Sequence, residues 1–345
     1  MTTAISMLRF PLTVMIVMFH CYCFLPLPSD SRLCMLLLYP FGLTLGETGV
    51  PAFFFISGYL FFFSQKTYKR KLQSRISTLL VPYILWNSVI LLAYLILMLT
   101  GHPQDIAGKS LSDFHLLDYV RAYIDRGNWD NGNGQPMLCP YWYVRNLMCL
   151  CIISPLLSLL IRRLKIVFIS ILFIWWMLIP YNGMIASSFL FFCLGAYFSI
   201  HQSNPLSLFD KKMYRRLFFC QYGVMFLLDW TGHTLFLLPY GLYVHRIVLV
   251  ENIFLMLYLV QFLNPVYYRK LKDLGGQSFW IYTIHFPIVI GIRGVSNHYF
   301  MDYGSWWLFG LYWLSVCFVT YLCLLGYRLT KRFSPRFLRL ATGKR

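Results

Sequence analysis

Charge is what this sequence has least of. Only 12% of its 345 residues are Asp, Glu, Lys or Arg, about half the share usual in a soluble domain. Acids are the scarcer sign, 12 against 30 Lys and Arg, for a formal net charge of +18. The chain is also 59% hydrophobic and 19% aromatic. So much apolar surface with so little charge cannot be hidden inside one water-facing globule. An ordinary soluble enzyme is excluded, and an integral membrane protein is expected.

Other absences narrow the field. The ten cysteines form no CxxC pair. Most, such as Cys149, Cys151, Cys193, Cys220 and Cys317, lie in apolar runs as small hydrophobes and say little about redox compartment. The spacing of Cys21 and Cys23 fits no common metal site, and no metal is expected. Zinc-finger and RNA-binding signatures are lacking, so the positive charge is read as membrane topology and no nucleic-acid partner is expected. The N-terminus has no basic run before its apolar core and no small-x-small cleavage site, which predicts a retained first helix. With no internal repeat, low-complexity tract or soluble domain legible, residues 1–345 read as a single transmembrane domain.

What is present is apolar sequence in helix-length stretches. A spanning helix needs about 20 such residues. About ten candidates appear, at 5–25, 43–64, 77–100, 140–161, 165–181, 184–201, 216–231, 243–263, 277–297 and 305–328. The connections alternate in charge. Lys66, Lys69, Arg70, Lys71 and Arg75 fill one; Arg162, Arg163 and Lys165 another; then Lys211, Lys212, Arg215 and Arg216; then Arg269, Lys270 and Lys272; and the tail from Arg328 is basic. The intervening connections are neutral or acidic. The fold class is therefore all-α, a polytopic helical bundle in the lipid bilayer with both termini cytoplasmic. The long connection 101–139, with Asp105, Asp113, Asp118, Asp125 and Asp130, lies on the outer side. Its stretch "DRGNWDNGNGQP" reads as turns, either a functional loop or a spacer.

Within the first span, "RFPLTVMIVMFH" sets Arg9 eleven positions before His20. Eleven positions make three turns plus about 20°, so the two share a helix face, roughly 16 Å apart along the axis. An imidazole at that depth is costly and usually faces a polar cavity. Neutral imidazole is a natural general base, and arginine a natural grip for phosphate. A phosphorylated donor held at Arg9, with its reactive end reaching His20, suits the pair. Coenzyme A, a polyanionic nucleotide on a long thin arm, is such a donor. Alone, Arg9 is also read as a snorkelling interfacial cation and His20 as an interhelical hydrogen-bonding group.

Further motifs follow in order: "GVPAFFFISGYLFFF" (49–63), "RISTLLVPYILWN" (75–87), "YWYVRNL" (141–147), "FFCLGAYFS" (191–199) and "SFWIYTIHFP" (278–287). With the Arg-x10-His pattern, this series resembles the acyltransferase-3 family of integral membrane O-acyltransferases over nearly the whole chain. The resemblance implies transfer of an acyl group, usually acetyl, from cytoplasmic acyl-coenzyme A to a hydroxyl of a glycan at the bacterial inner membrane. It implies that His20 is essential and that Arg9 contributes to donor binding. The sequence departs from the family before Arg9, where Ser6-Met7-Leu8 stand instead of an acid, and at the third span, where Lys69, Arg70, Lys71 and Arg75 fit no clear Arg-x-x-Arg pair.

Other candidates carry two readings each. Arg75, with Arg70 and Lys71, is a cationic mouth for the donor's phosphates or a positive-inside anchor. Glu47 orients His20 or is a solvated acid. Ser57 is an acyl acceptor or a packing hydroxyl, and Gly58 beside it allows close helix approach. Trp142 and Arg145 suit a sugar or its phosphate, or an interfacial anchor. His285 is a second polar group in the cavity or an interhelical bond. Glu251 is an intramembrane acid with a functional role or a partner for Arg246.

The expected function is transfer of acetyl from acetyl-coenzyme A to a surface glycan or a lipid-linked sugar acceptor, with direct attack preferred over an acyl-enzyme. The rivals are a glycan transporter or exporter, whose usual repeated halves or broken helices are not legible, and a non-enzymatic assembly subunit. The glycan, the acyl chain and the oligomeric state stay open.

Overall fold

The computed structural model describes residues 2–102, 105–106, 109–126, 134–179, 183–232, 240–300 and 304–343. Among these residues the structure is helical, and no strand forms beyond a single bridge between Ile106 and Lys109. The chain divides into two units, residues 1–63 with 158–326, and residues 64–157 with 327–345.

The first unit holds α1 (Thr2–Phe24), α2 (Arg32–Tyr39) and α3 (Gly46–Phe63). A π-helical turn over Pro40–Leu45 runs between α2 and α3. Proline has no N–H to give to the preceding turn, and a widened turn accommodates the break. The second apolar stretch therefore starts earlier than its sequence suggests, as one helical run from Arg32 to Phe63.

The second unit holds α4 (Tyr68–Arg75), α5 (Val81–Leu99), α6 (Leu116–Ile124) and α7 (Trp142–Ile152). Another π turn, Ile76–Leu80, leads into Pro82 and joins α4 to α5. The expected span 140–161 is not straight. It breaks at Ile153 into α7 and α8 (Ser154–Leu164) with a 70° bend. Pro155 cannot donate to the Cys151 carbonyl, and the Ser154 hydroxyl takes that carbonyl at 2.8 Å instead. A broken span was not legible because a single Ser-Pro leaves the hydropathy of the stretch unchanged.

The first unit continues through α9 (Ile166–Leu178), α10 (Met184–Ile200), α11 (Lys212–Thr231), α12 (Gly241–Leu259), α13 (Pro265–Gly275), α14 (Ser278–Tyr299) and most of α15 (Ser305–Phe333); α16 (Pro335–Ala341) belongs to the second unit. Each of the ten expected stretches contains a helix, but not each is a full span. Among the described residues six helical runs are long and apolar enough to cross a membrane, or up to seven if the bent pair is one span. The α9 and α10 helices are short, and α11 carries Lys212, Arg215, Arg216, Gln221 and Asp229. The tail is not a loose basic extension. The α16 carbonyl of Ala341 accepts from Trp86 Nε1 at 3.1 Å, and Gly343, at φ +71°, lies on the Thr78 backbone.

Close helix approach fixes the first unit. Gly46 lies on the backbone of Phe19, and Gly49 on Leu12 and Ile16, so α3 presses against the α1 face that precedes His20. Further along α3, Gly58 meets the Phe192 carbonyl of α10, and Gly195 of α10 meets the Phe55 carbonyl of α3. Apolar side chains gain nothing from leaving lipid for one another, so backbone-to-backbone packing over small residues supplies the association. Arg246, buried in α12, donates from Nη1 to the Trp176, Met177 and Ile179 carbonyls at 2.5, 3.0 and 2.9 Å. It caps the carboxyl end of α9, where the orphan carbonyls and the helix dipole both favour a cation.

Candidate active site

His20 projects from α1 into an aromatic box. Phe24 stacks on it, and Phe286 and His285 of α14 meet it edge-on, with ring centroids 5.3 and 5.0 Å away. The residue is 7% exposed. Its Nδ1 lies 2.8 Å from the Ile16 carbonyl, which only accepts, so Nδ1 carries the proton. In the neutral ring Nε2 is then the basic lone pair, and among the described residues nothing bonds it. His285 repeats the arrangement: its Nδ1 donates to the Ile281 carbonyl at 3.0 Å, which leaves its Nε2 as an acceptor. That Nε2 stands 3.3 Å from His20 Nδ1. The His20 N–H thus has two acceptors, a carbonyl and an imidazole. If His20 takes a proton on Nε2, both are in place to stabilise the imidazolium. The sequence named both histidines, and the structure brings them together.

Arg9 is exposed near the start of the same helix. The α1 helix is continuous through Pro11, so the shared face and the axial separation hold. Between them Leu12, Thr13 and Ile16 are buried.

Glu47 does not orient His20. Its carboxylate meets His245 Nε2 at 3.1 Å, and His245 Nδ1 meets Asp229 at 3.1 Å. An imidazole that donates from both nitrogens to two carboxylates is an imidazolium. Asp229, fully buried, also accepts from the Tyr39 hydroxyl at 3.0 Å and the Thr44 hydroxyl at 2.8 Å. Asn252 donates to Thr48 Oγ1 and accepts from the Tyr222 hydroxyl. This belt ties α2 and α3 to α11 and α12. Asp229 and His245 were overlooked in the sequence, although an ionisable residue inside an apolar run is the signal that singles out such groups. Glu251 does not pair with Arg246. Its Oε1 accepts from Gln221 Nε2 at 2.6 Å, while Oε2 is buried with no partner among the described residues.

Ser57 is half-buried on α3. In the second unit, Lys69 and Arg70 are exposed on α4, with Lys71 and Arg75 half-buried. Trp142 is half-buried at the start of α7. Arg145 holds the long connection in place, donating from Nη1 to the Ile124 carbonyl and from Nη2 to the Gly134 carbonyl. That connection is less loose than its composition suggests. It contains α6, and Ile106, Leu111, Ala122 and Met137 form a small core of their own. Residues 127–133 of the turn-rich stretch lie outside the described residues.

The comparison with known families decides the class. A family model described as an acyltransferase domain matches residues 3–327. The chain belongs to the acyltransferase-3 family. It is a multi-pass membrane acyltransferase, all-helical as expected. The acyltransferase is 25% identical over 313 residues to the succinoglycan biosynthesis protein ExoH of Rhizobium meliloti, covering 88% of this chain and 81% of that protein. No solved structure matches it significantly.

Proposed function

We propose that this acyltransferase moves a short acyl group, acetyl first, from acyl-coenzyme A on the cytoplasmic side of a bacterial inner membrane to a hydroxyl of a surface polysaccharide or its lipid-linked precursor. The observation that carries this reading is the fixed tautomer of His20, with Nδ1–H held by Ile16 and a lone pair at Nε2. The likeness to a succinoglycan biosynthesis protein supports the acceptor class.

The chemistry follows from that lone pair. His20 Nε2 takes the acceptor's hydroxyl proton as its oxygen bonds to the thioester carbonyl carbon. Collapse of the tetrahedral adduct breaks the carbon–sulfur bond. The thiolate leaves with the electron pair and takes the proton back from the imidazolium. Arg9 holds the donor by its phosphates. The cations of α4, Arg70, Lys71 and Arg75, draw the polyanionic donor to the membrane surface. Trp142 offers a ring face to a sugar, and Glu251 an acid oxygen to a hydroxyl. Direct transfer requires no enzyme nucleophile, and Ser57 serves only as the acceptor in a two-step alternative.

Among the described residues the bend at Ile153 favours glycan export, because transporters use broken helices. Deleting the protein from its host separates the readings. The surface polysaccharide is expected to keep its amount and lose base-labile acyl esters. Loss of surface polymer with the ester content of the remainder unchanged contradicts transfer and supports export.

A further inference from the structure

The turn that opens α14 lies beside Arg9 and is under-bonded. At Gly275 an added Cβ would stand 2.9 Å from the Ser6 carbonyl and 3.6 Å from the Arg9 Cβ. The backbone of this turn therefore rests on α1 at the level of Arg9. The next polar side chains, Gln277 and Ser278, each carry a buried oxygen, Oε1 and Oγ, with no hydrogen-bond partner among the described residues. Ser278 is only 5% exposed. Buried polar groups without partners are costly, and their retention asks for an explanation. Gln277 stands at the N-cap of α14 but makes no side-chain cap bond there. The first turn of a 22-residue helix presents N–H groups and the positive end of its dipole, which suit an anion.

The two ends of α1 and α14 match. His285 meets His20 at one end, and Gly275 meets Ser6 and Arg9 at the other. Both helices start at the Arg9 end and run in the same direction. The two contacts are separated by about the length of a thin donor that carries phosphates at one end and a reacting group at the other.

We propose that Arg9, the Ser278 hydroxyl and the first turn of α14 form a subsite for a phosphate of the nucleotide donor. The Ser278 O–H donates to a phosphate oxygen, and Gln277 Oε1 accepts an amide N–H of the donor's arm. This rests on the donor reading above and gives a role to Gln277 and Ser278, to which the sequence reading assigned none.

The test uses the purified full chain in lipid nanodiscs, with coenzyme A as the probe, and reads equilibrium binding and thermal stability together. Ser278→Ala removes a hydroxyl that bonds nothing among the described residues, so stability is expected to hold or rise. Loss of a hydrogen bond to a charged group is expected to weaken coenzyme A binding about tenfold. Ser278→Asp places a carboxylate where a first-turn acid favours the helix but repels phosphate, and its binding is expected to fall further, below detection. Alanine binding coenzyme A as tightly as wild type overturns the subsite while the donor reading stands. If alanine loses both binding and stability, the aspartate variant decides: stable without binding supports the subsite, and wild-type binding overturns it. A wild type that binds no coenzyme A overturns both readings.

Discussion

His20→Ala is expected to lower acyl transfer by about 10² to 10⁴, the usual contribution of a positioned general base, while coenzyme A binding stays within about threefold of wild type. The expectation is specific to one atom. His20 Nδ1 is committed to Ile16 and shared with His285, so only Nε2 is left to accept a proton. His20→Gln keeps a polar side chain of similar reach, but its amide has no basic nitrogen, and it is expected to be as inactive as alanine. His285→Gln is expected to cost less, about tenfold. It removes a neighbour that stabilises the imidazolium and leaves the Ile16 bond in place. Single-turnover transfer of labelled acetyl, with binding measured separately, checks the series. His20→Gln with wild-type turnover would remove the base from the mechanism.

The largest effect on the fold is expected from Gly58→Ala. The new Cβ would fall 2.0 Å from the Phe192 carbonyl oxygen, and the reciprocal change at Gly195 would fall 1.9 Å from the Phe55 carbonyl. Neither contact involves a side chain that can swing away. The α3 and α10 backbones must separate by about 1 Å or more, forfeiting contacts along their whole crossing. A loss of roughly 3 kcal/mol or more is expected, at the upper end for overpacking. The companion substitution Gly223→Ala in α11 meets nothing within 4 Å among the described residues. It is expected to stabilise its helix by up to about 1 kcal/mol. Thermal unfolding followed by size-exclusion in detergent distinguishes the two. Equal melting of Gly58→Ala and Gly223→Ala would contradict the packing described for α3 and α10.

Much of this was legible because a membrane imposes simple rules. Long apolar runs marked the helices, and Arg9, His20 and His285 were visible as ionisable groups inside them. Gly58 was legible as a packing site for a related reason, since small residues govern helix contact in lipid. The bend at Ile153 was not, because it turns on whether one carbonyl near Pro155 finds a partner. The extension of the second helical run back to Arg32 was hidden by the π turn at Pro40. The partners of Glu47 and Glu251 lie 198 and 30 residues away. The outer-side position of Glu47 suggested His20, and nearness on one helix suggested Arg246 for Glu251; tertiary pairing between α3, α11 and α12 decided otherwise. Arg145 looked ready for a sugar phosphate, yet its guanidinium bonds reach backbone carbonyls of the long connection, whose fold the sequence does not display.

The central claim is that an acyl-coenzyme A donor is held from Arg9 toward His20. Binding and slow hydrolysis of radiolabelled acetyl-coenzyme A by the purified chain in nanodiscs test it most directly, for wild type beside Arg9→Ala. Wild type is expected to bind and turn over the thioester, and Arg9→Ala to bind at least tenfold more weakly, as the loss of a charge-assisted phosphate contact requires. A wild type that neither binds nor hydrolyses acetyl-coenzyme A or any other short acyl-coenzyme A would contradict the account.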